Sequence, residues 1–65
     1  MQISVNGEVE RIEPQSLESY LTTKSLLGRR IAVERNGDIV PKSQFSEVIL
    51  EDGDVLEIVH AIGGG

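Results

Sequence analysis

Three pairs of turn-forming residues divide this chain into short segments, and they constrain its fold more than any other feature. Asn6-Gly7 lies between two strand-like segments, and Asn36-Gly37 and Asp52-Gly53 occupy similar places further along. Both central residues of a tight hairpin turn need positive φ angles, which asparagine and glycine adopt most easily. The pattern therefore predicts short strands joined by tight turns.

The segments on either side of these turns have the composition of strands. Residues 2–5 and 8–12 predict the first hairpin, but Val9 and Ile12 differ in parity, so we expect a bulge near Glu10 or Arg11. Later segments predict three more strands, at residues 31–34, 39–40 and 55 to about 61. The second of these is very short because Pro41 cannot donate to a sheet.

One helix is predicted between the first hairpin and the third strand. Ser16 is a candidate N-cap, and Leu17, Tyr20 and Leu21 form a single apolar stripe at helical spacing. Gly28 is the expected C-terminal stop. Residues 42–47 are predicted to form a polar crossover that contains the single phenylalanine, Phe45.

These elements predict an α+β fold with one main helix packed across a mixed sheet of four to five strands. A sheet with one covering helix is the simplest way to bury a single apolar stripe. We expect the N- and C-terminal strands to lie side by side and parallel in the middle, which is the ubiquitin-like β-grasp arrangement. Residues 1–62 are predicted to form a single domain, followed by a flexible tail at residues 63–65.

Composition excludes several classes of function. A formal net charge of -5 argues against nucleic acid as a partner, since nucleic acid selects basic surfaces. The 65 residues include no cysteine, which excludes disulfides and thiolate metal sites and fits a cytoplasmic protein. No apolar run approaches the roughly 20 residues needed to span a membrane. We expect Met1 to be the true start, without a leader.

The polar residues do not predict an active site or a metal site. His60 is the only histidine, and no serine is placed to form a catalytic arrangement with it, so we interpret it as an ordinary strand residue. The acidic residues at 51, 52 and 54 lack the remaining ligands of a calcium loop and are interpreted as a solvated turn. Those at 8, 10 and 13 are interpreted as a solvated face, and Arg29-Arg30 as a surface pair. The sequence therefore predicts a chain that is not an enzyme.

The glycine run at the end of the sequence carries the functional hypothesis. Gly63, Gly64 and Gly65 follow an apolar stretch without a polar linker, and side-chain-free residues can thread into a narrow site. We expect the Gly65 carboxylate to be the reactive group. Strand alternation would turn Val59 and Ala61 outward, and with Ile62 they are the predicted contacts with a partner.

The chain resembles the ThiS family, the sulfur carriers of thiamin (thiazole) biosynthesis. The resemblance covers essentially the whole sequence and depends on the order and spacing of several motifs rather than on one of them. The matching residues are Gln2-Ile3, Asn6-Gly7-Glu8, Ala32-Val33, Asn36-Gly37-Asp38-Ile39-Val40-Pro41, Asp52-Gly53-Asp54, Glu57-Ile58-Val59 and Gly64-Gly65.

This resemblance implies a carrier whose terminal glycine is chemically modified. A ThiF-like activating enzyme would adenylate Gly65 with ATP, and sulfur from a cysteine desulfurase would convert the adenylate to a thiocarboxylate. Thiazole synthase, a ThiG-like enzyme, would then take the sulfur. The carrier itself would hold no cofactor other than the covalent thiocarboxylate, would bind neither nucleic acid nor membrane, and would be a monomer when free.

Four other functions remain open from the sequence. The small subunit of molybdopterin synthase and a carrier in other sulfur metabolism would use the same thiocarboxylate chemistry. A ubiquitin-like modifier would instead join Gly65 to lysine side chains of other proteins. A plain interaction module would make no use of the tail, so deletion of Gly64-Gly65 would leave its function intact.

Overall fold

Five strands and one α-helix make up residues 1–61, the part of the chain that the computed structural model describes. The elements are β1 (Gln2–Val5), β2 (Glu8–Arg11), α1 (Leu17–Thr23), β3 (Ile31–Arg35), β4 (Asp38–Val40) and β5 (Val55–His60). The strand order is β2-β1-β5-β3-β4, in which β1 and β5 are parallel neighbours and the other pairs are antiparallel. The predicted β-grasp fold is confirmed, with its terminal strands side by side. Ile62 and the predicted tail at residues 63–65 lie outside the described residues.

The first hairpin turns as predicted, but its second strand has no bulge. Asn6 and Gly7 have φ angles of 50° and 85°. The β1–β2 register runs without interruption from Gln2↔Arg11 to Val5↔Glu8. The predicted bulge is wrong because the apolar Val9 lies on the open face of the sheet, 65 % exposed, while Glu10 turns toward the helix. Val9 and Ile12 differ in parity because β2 has the polar Glu10 on its inner face, and not because the strand is irregular.

The core lies between the helix and the inner face of the sheet. Leu17, Tyr20 and Leu21 are all buried, as the helical stripe predicts. They pack with seven other buried side chains from the sheet and from the segment between β4 and β5, namely Ile3, Ile31, Val33, Phe45, Leu50, Leu56 and Ile58. Full burial of one such side chain contributes roughly 1.5–3 kcal/mol. The ten buried side chains are therefore the main source of stability for a chain of this size.

The helix begins at the predicted cap and ends earlier than predicted. The Ser16 hydroxyl accepts a hydrogen bond from the Ser19 amide at 3.0 Å, as an N-cap should. The predicted stop at Gly28 is wrong: the helix ends at Thr23, and Ser25 takes the left-handed conformation at φ 61°. The Leu26 amide then bonds the Leu21 carbonyl at 2.8 Å, and the half-buried Leu26 packs on the core. That apolar contact fixes the stop without a glycine.

The crossover before β5 carries a short 3₁₀ helix at Lys42–Gln44 and buries Phe45, which is 6 % exposed. Its carbonyls also satisfy the start of the helix: Phe45 accepts from the Glu18 amide at 3.0 Å, and Val48 accepts from the Leu17 amide at 2.8 Å. Helix termini leave such amides without intrahelical partners, so the crossover functions as an external cap for α1.

Asp54 is the one buried charged residue within residues 1–61, so the prediction of a solvated turn is wrong for Asp54, while Glu51 and Asp52 are exposed as predicted. Asp54 is 5 % exposed. Its carboxylate accepts hydrogen bonds from Arg35 Nε at 2.9 Å, Asn36 Nδ2 at 3.0 Å and the Glu51 amide at 2.8 Å. Burial by itself raises the pKa of Asp54, but these three donors outweigh it, so the pKa lies below its ordinary range. The network joins the β3–β4 turn to the start of β5.

Candidate interaction site at the end of β5

The last residues of β5 place small and apolar side chains on the open face of the sheet. Leu56 and Ile58 are buried against the helix, so the alternate residues Glu57 and Val59 point away from it. Val59 is 60 % exposed and lies directly opposite Ala32 of β3. Ala61 is also exposed and follows in the same alternation. We call Ala32, Val59 and Ala61 the tail-side strip.

Acidic side chains separate the tail-side strip from other exposed apolar residues on the same face. Glu34 and Glu57 form a cross-strand pair next to the strip. Beyond them lie Val9, Ile39 and Val55, which are 65 %, 63 % and 46 % exposed. The open face therefore combines apolar contact area with negative charge, which complements a partner surface with an apolar centre and basic groups around it.

The structure describes only part of the predicted site. Val59 and Ala61 are brought together on one face, and the Ala61 amide bonds the Arg30 carbonyl at 2.8 Å, which continues the pairing with the chain before β3. Ile62, Gly63, Gly64 and Gly65 lie outside the described residues. Their predicted roles remain predictions, as does the contact role of Val59 and Ala61.

Two residues that the sequence reasoning missed also shape this end of the sheet. Ala32 completes the strip, and its place between the inward Ile31 and Val33 was a usable signal of its outward direction. Asn6 was assigned only a turn role, but its side chain bonds the main chain of Ile58: Oδ1 accepts from the amide at 2.7 Å and Nδ2 donates to the carbonyl at 3.1 Å. Nothing in the local sequence reveals that second role.

A polar cluster lies on the helix side, where the prediction of a fully solvated acidic face is wrong for Glu10. Its carboxylate accepts from the Tyr20 hydroxyl at 2.8 Å and pairs with Lys24 Nζ at 3.2 Å. Burial, and then the bond to Glu10, raise the pKa of Tyr20 above its ordinary value. Glu10 faces the helix because it lies directly opposite the buried Ile3. His60 ends β5 close to this cluster, as an exposed strand residue.

Residues 1–61 hold neither a group of side chains suited to a metal ion nor a helix long enough to cross a membrane. Within this range, no three His, Asp or Glu side chains are grouped so that they could hold a metal ion. Its one α-helix has seven residues and is too short to cross a bilayer. What the described surface does offer is a partly apolar open face of the sheet at the end of β5.

Comparisons with known proteins agree with this geometry. The family model described as "ThiS family" matches residues 2–65. The chain belongs to the ThiS family. A ThiS crystal structure from Geobacter metallireducens, described as a thiamine biosynthesis protein, superposes with a TM-score of 0.86 at 26 % identity, and the match covers 100 % of both chains. Family membership and the shared fold thus confirm the resemblance drawn from the motifs.

Curated relatives of this ThiS-family chain come in two lengths. The sulfur carrier protein ThiS of Bacillus subtilis is 42 % identical over 50 residues, which cover 77 % of this chain and 76 % of that protein. A thiazole synthase of Paramagnetospirillum magneticum is 44 % identical over 71 residues, which cover 100 % of this chain and 20 % of that protein. A second thiazole synthase, from Magnetococcus marinus, is 38 % identical with the same coverage. The chain therefore spans about a fifth of the length of these two synthases.

Proposed function

We propose that this chain is a sulfur carrier for the thiazole step of thiamin biosynthesis. The observation that carries the proposal is the match of residues 2–65 to the ThiS family, which includes the glycine run. The β-grasp fold and the exposed tail-side strip at the base of that run support it. The carrier is a protein cosubstrate of its partners rather than an enzyme.

The proposed chemistry takes place at the Gly65 carboxylate. A carboxylate is an anion at neutral pH and a poor electrophile, because the pKa of a terminal carboxyl is about 3.3–3.7. Attack of its oxygen on the α-phosphate of ATP forms an acyl-adenylate and releases pyrophosphate. The persulfide of the desulfurase then attacks the acyl carbon and AMP leaves, which gives an acyl disulfide. A second thiol cleaves this disulfide, so a thiocarboxylate replaces the carboxylate and the two thiol sulfurs end as an ordinary disulfide. The absence of cysteine in the chain means that no thiol of its own competes for the activated carbonyl.

Three partners follow from this chemistry: a ThiF-like adenylating enzyme that uses ATP, a cysteine desulfurase that supplies sulfur, and a ThiG-like thiazole synthase that accepts it. The two relatives named thiazole synthase support the last of these, since a stretch similar to this whole chain forms part of each. We place the chemistry in the cytoplasm, where a free thiocarboxylate is protected from oxidation. Because Gly63 and Gly64 have no side chains, they allow the tail to pass through a narrow channel into a partner's active site. The carrier is a monomer when free.

The tail-side strip is the proposed docking surface of these partners. Val59 and Ala61 lie on one face directly before the residues that must enter a partner's active site, so a partner that holds the tail also covers the strip. Exposed apolar side chains of this kind gain most from burial at the centre of an interface. Ile62 is proposed to extend the same contact.

The decisive experiment is intact-protein mass spectrometry of the chain ending at Gly65, after incubation with an adenylating enzyme, ATP, a cysteine desulfurase and cysteine. The expected result is the mass gain of one oxygen replaced by sulfur, located at Gly65 and absent without ATP. No gain with an enzyme proven active on another carrier would refute the proposal. Conjugates to lysine would support a modifier instead, and sulfur transfer to molybdopterin synthase rather than thiazole synthase would identify the other pathway.

A matched pair of variants tests the docking surface separately. Val59→Asp and Val9→Asp each place one negative charge on the open face at an exposed valine, near the tail and far from it. We expect Val59→Asp to lower kcat/KM for thiocarboxylate formation about tenfold or more, as loss of a central interface contact does, and Val9→Asp to change it little. Equal effects of the two variants would show that the strip is not the docking surface.

A further inference from the structure

The two sides of β5 differ in how far they are paired. On one side, β3 pairs with β5 along its whole length, from Arg35↔Leu56 to Ile31↔His60. On the other side, β1 pairs only at Ser4↔Val55 and Val5↔Leu56 before the chain turns away. The C-terminal half of β5 therefore extends beyond its neighbour, next to the residues that lead to the tail.

Where β1 no longer runs beside β5, the Asn6 side chain takes its place as the hydrogen-bonding partner of one β5 residue, Ile58. Along this side of β5, Asp54 and Leu56 carbonyls accept from the Ser4 and Asn6 amides, both at 2.9 Å. At Ile58, the next position, the Asn6 side-chain amide both accepts and donates, as a peptide group would. The parallel ladder thus reaches Ile58 with no strand beside it.

His60 is the next residue of β5 whose main-chain N–H and C=O point to the β1 side of the strand. The bonds to the opposite neighbour use Val55, through the Asn36 amide, and Ala61, through the Arg30 carbonyl. Since pairing sides alternate along a strand, the N–H and C=O of His60 point away from β3. No hydrogen bond within residues 1–61 engages them, so β5 presents an open edge one position long before it leaves the described residues.

The outer edges of the sheet are less suited to pairing with another chain. Strand β2 carries charged residues at three of its four positions, and β4 has three residues followed by Pro41. Charges, shortness and proline are features that discourage edge pairing. The edge at His60 is also short, but it carries neither a proline nor an Asp, Glu, Lys or Arg side chain.

A cleft of about 320 Å³ lies beside this edge on the helix side. Besides Asn6 and His60 it is lined by Val5, Glu10, Tyr20, Lys24, Leu26 and Ile58. A strand added at the His60 edge would point alternate side chains toward it, and its lining includes apolar side chains as well as polar and charged ones. Main-chain pairing and a pocket for an alternate side chain are the two components of recognition by strand addition.

We propose that an extended segment of the adenylating partner adds to the sheet at the His60 edge, beside β5 and above the β1–β2 turn, and places one apolar side chain in this cleft. The proposal rests on the proposed function, because that function commits the residues after Ala61 to the partner's active site. A partner that holds the residues after Ala61 in extended form must place part of its own chain close to the end of β5, and therefore close to the His60 edge. The incoming strand continues the position that Asn6 holds at Ile58.

A matched pair of substitutions isolates the main-chain contact. His60→Pro removes the N–H that the partner strand would use, and it is compatible with the fold because that N–H bonds nothing within residues 1–61. His60→Ala removes the side chain and keeps the N–H. We expect kcat/KM for thiocarboxylate formation to be about tenfold or more lower for His60→Pro than for His60→Ala, because both variants lose the imidazole that lines the cleft and only His60→Pro also loses the N–H. Equal values for the two variants would overturn the proposal.

Amide hydrogen exchange on the unsubstituted chain gives a second test, which decides if His60→Pro does not fold. In the free chain the His60 amide should exchange fast and the Val59 amide slowly, because only Val59 bonds to β3. With the adenylating enzyme bound, the His60 amide should become protected. Fast exchange in a complex that still forms thiocarboxylate would overturn the strand addition alone, whereas no thiocarboxylate on the wild-type chain would overturn the proposed function with it.

Discussion

Replacement of Asp54 by asparagine tests the largest electrostatic contribution that the structure identifies. Asp54→Asn keeps the shape of the side chain but removes the charge that Arg35 and two other donors share. An asparagine also directs an N–H₂ group at groups that are themselves donors, which leaves buried polar atoms unsatisfied. The variant therefore loses an ion pair and gains a mismatch at one site.

The expected loss is about 3 kcal/mol at neutral pH. Disruption of a buried ion pair costs roughly 3–5 kcal/mol, and the lower end applies here because the Arg35 side chain is 26 % exposed and water can partly solvate it. A chain of 65 residues has a total stability of about 3–10 kcal/mol at 0.05–0.15 kcal/mol per residue. At about 4–8 °C per kcal/mol, the melting temperature should fall by roughly 12–24 °C.

The effect should depend on pH with a definite sign. The pKa of Asp54 is lower in the folded chain than its ordinary value of 3.8, so the folded state binds fewer protons than the unfolded state in this range. Its contribution is complete above pH 3.8 and is lost as the pH falls through the folded pKa. The difference between wild type and Asp54→Asn should therefore be constant near neutrality and shrink in acid.

Urea denaturation at a series of pH values measures this difference. Glu47→Gln is the matched control, since Glu47 is exposed and forms no ion pair within residues 1–61, so it removes one negative charge without touching the network. If Asp54→Asn were as stable as Glu47→Gln at pH 7, or if its deficit stayed the same in acid, the argument from the buried carboxylate would be wrong.

Three smaller effects follow from single contacts. Asn6→Gly keeps the left-handed turn but loses both side-chain bonds to β5, which should cost about 2 kcal/mol in urea denaturation; an unchanged midpoint would show that the ladder does not need them. Ser16→Ala removes the helix cap and should cost about 1 kcal/mol, with Ser16→Gly losing less. In alkaline titration of the single tyrosine, Tyr20 should ionise well above pH 10, and Glu10→Gln should lower that point; a normal titration in the wild type would contradict the buried hydroxyl.

The fold could be predicted to the level of its elements because local patterns were strong and agreed with one another. Asn6-Gly7 needs positive φ wherever it occurs, and the apolar stripe of α1 has one sheet available to cover it. The prediction went wrong where a distant contact decided the outcome. Ser25 ends the helix because Leu26 packs on the core, a contact that the helix segment does not encode by itself.

The functional hypothesis followed the same division. The glycine run and the motif order identified the family from sequence, since those features are read directly along the chain. The outward direction of Val59 followed from alternation, but its neighbour Ala32 comes from another strand and emerged only with the register. The burial of Asp54 and the partial burial of Glu10 were missed because acidic residues are normally solvated, and only partners brought from elsewhere in the fold make such positions stable.

By itself the sequence determined the turns, the helix cap and the alternation of β5, which depend on residues close together along the chain. It also determined the membership of the ThiS family, which depends on the order of motifs along the chain. The tertiary structure decided which side chains are neighbours: Arg35 with Asp54, Tyr20 with Glu10, and Asn6 with Ile58. The last of these pairs joins residues at opposite ends of the chain, because the parallel pairing of β1 with β5 places the N-terminal turn beside the strand that leads to the tail. That long-range pairing, and not any local pattern, leaves the edge at His60 open.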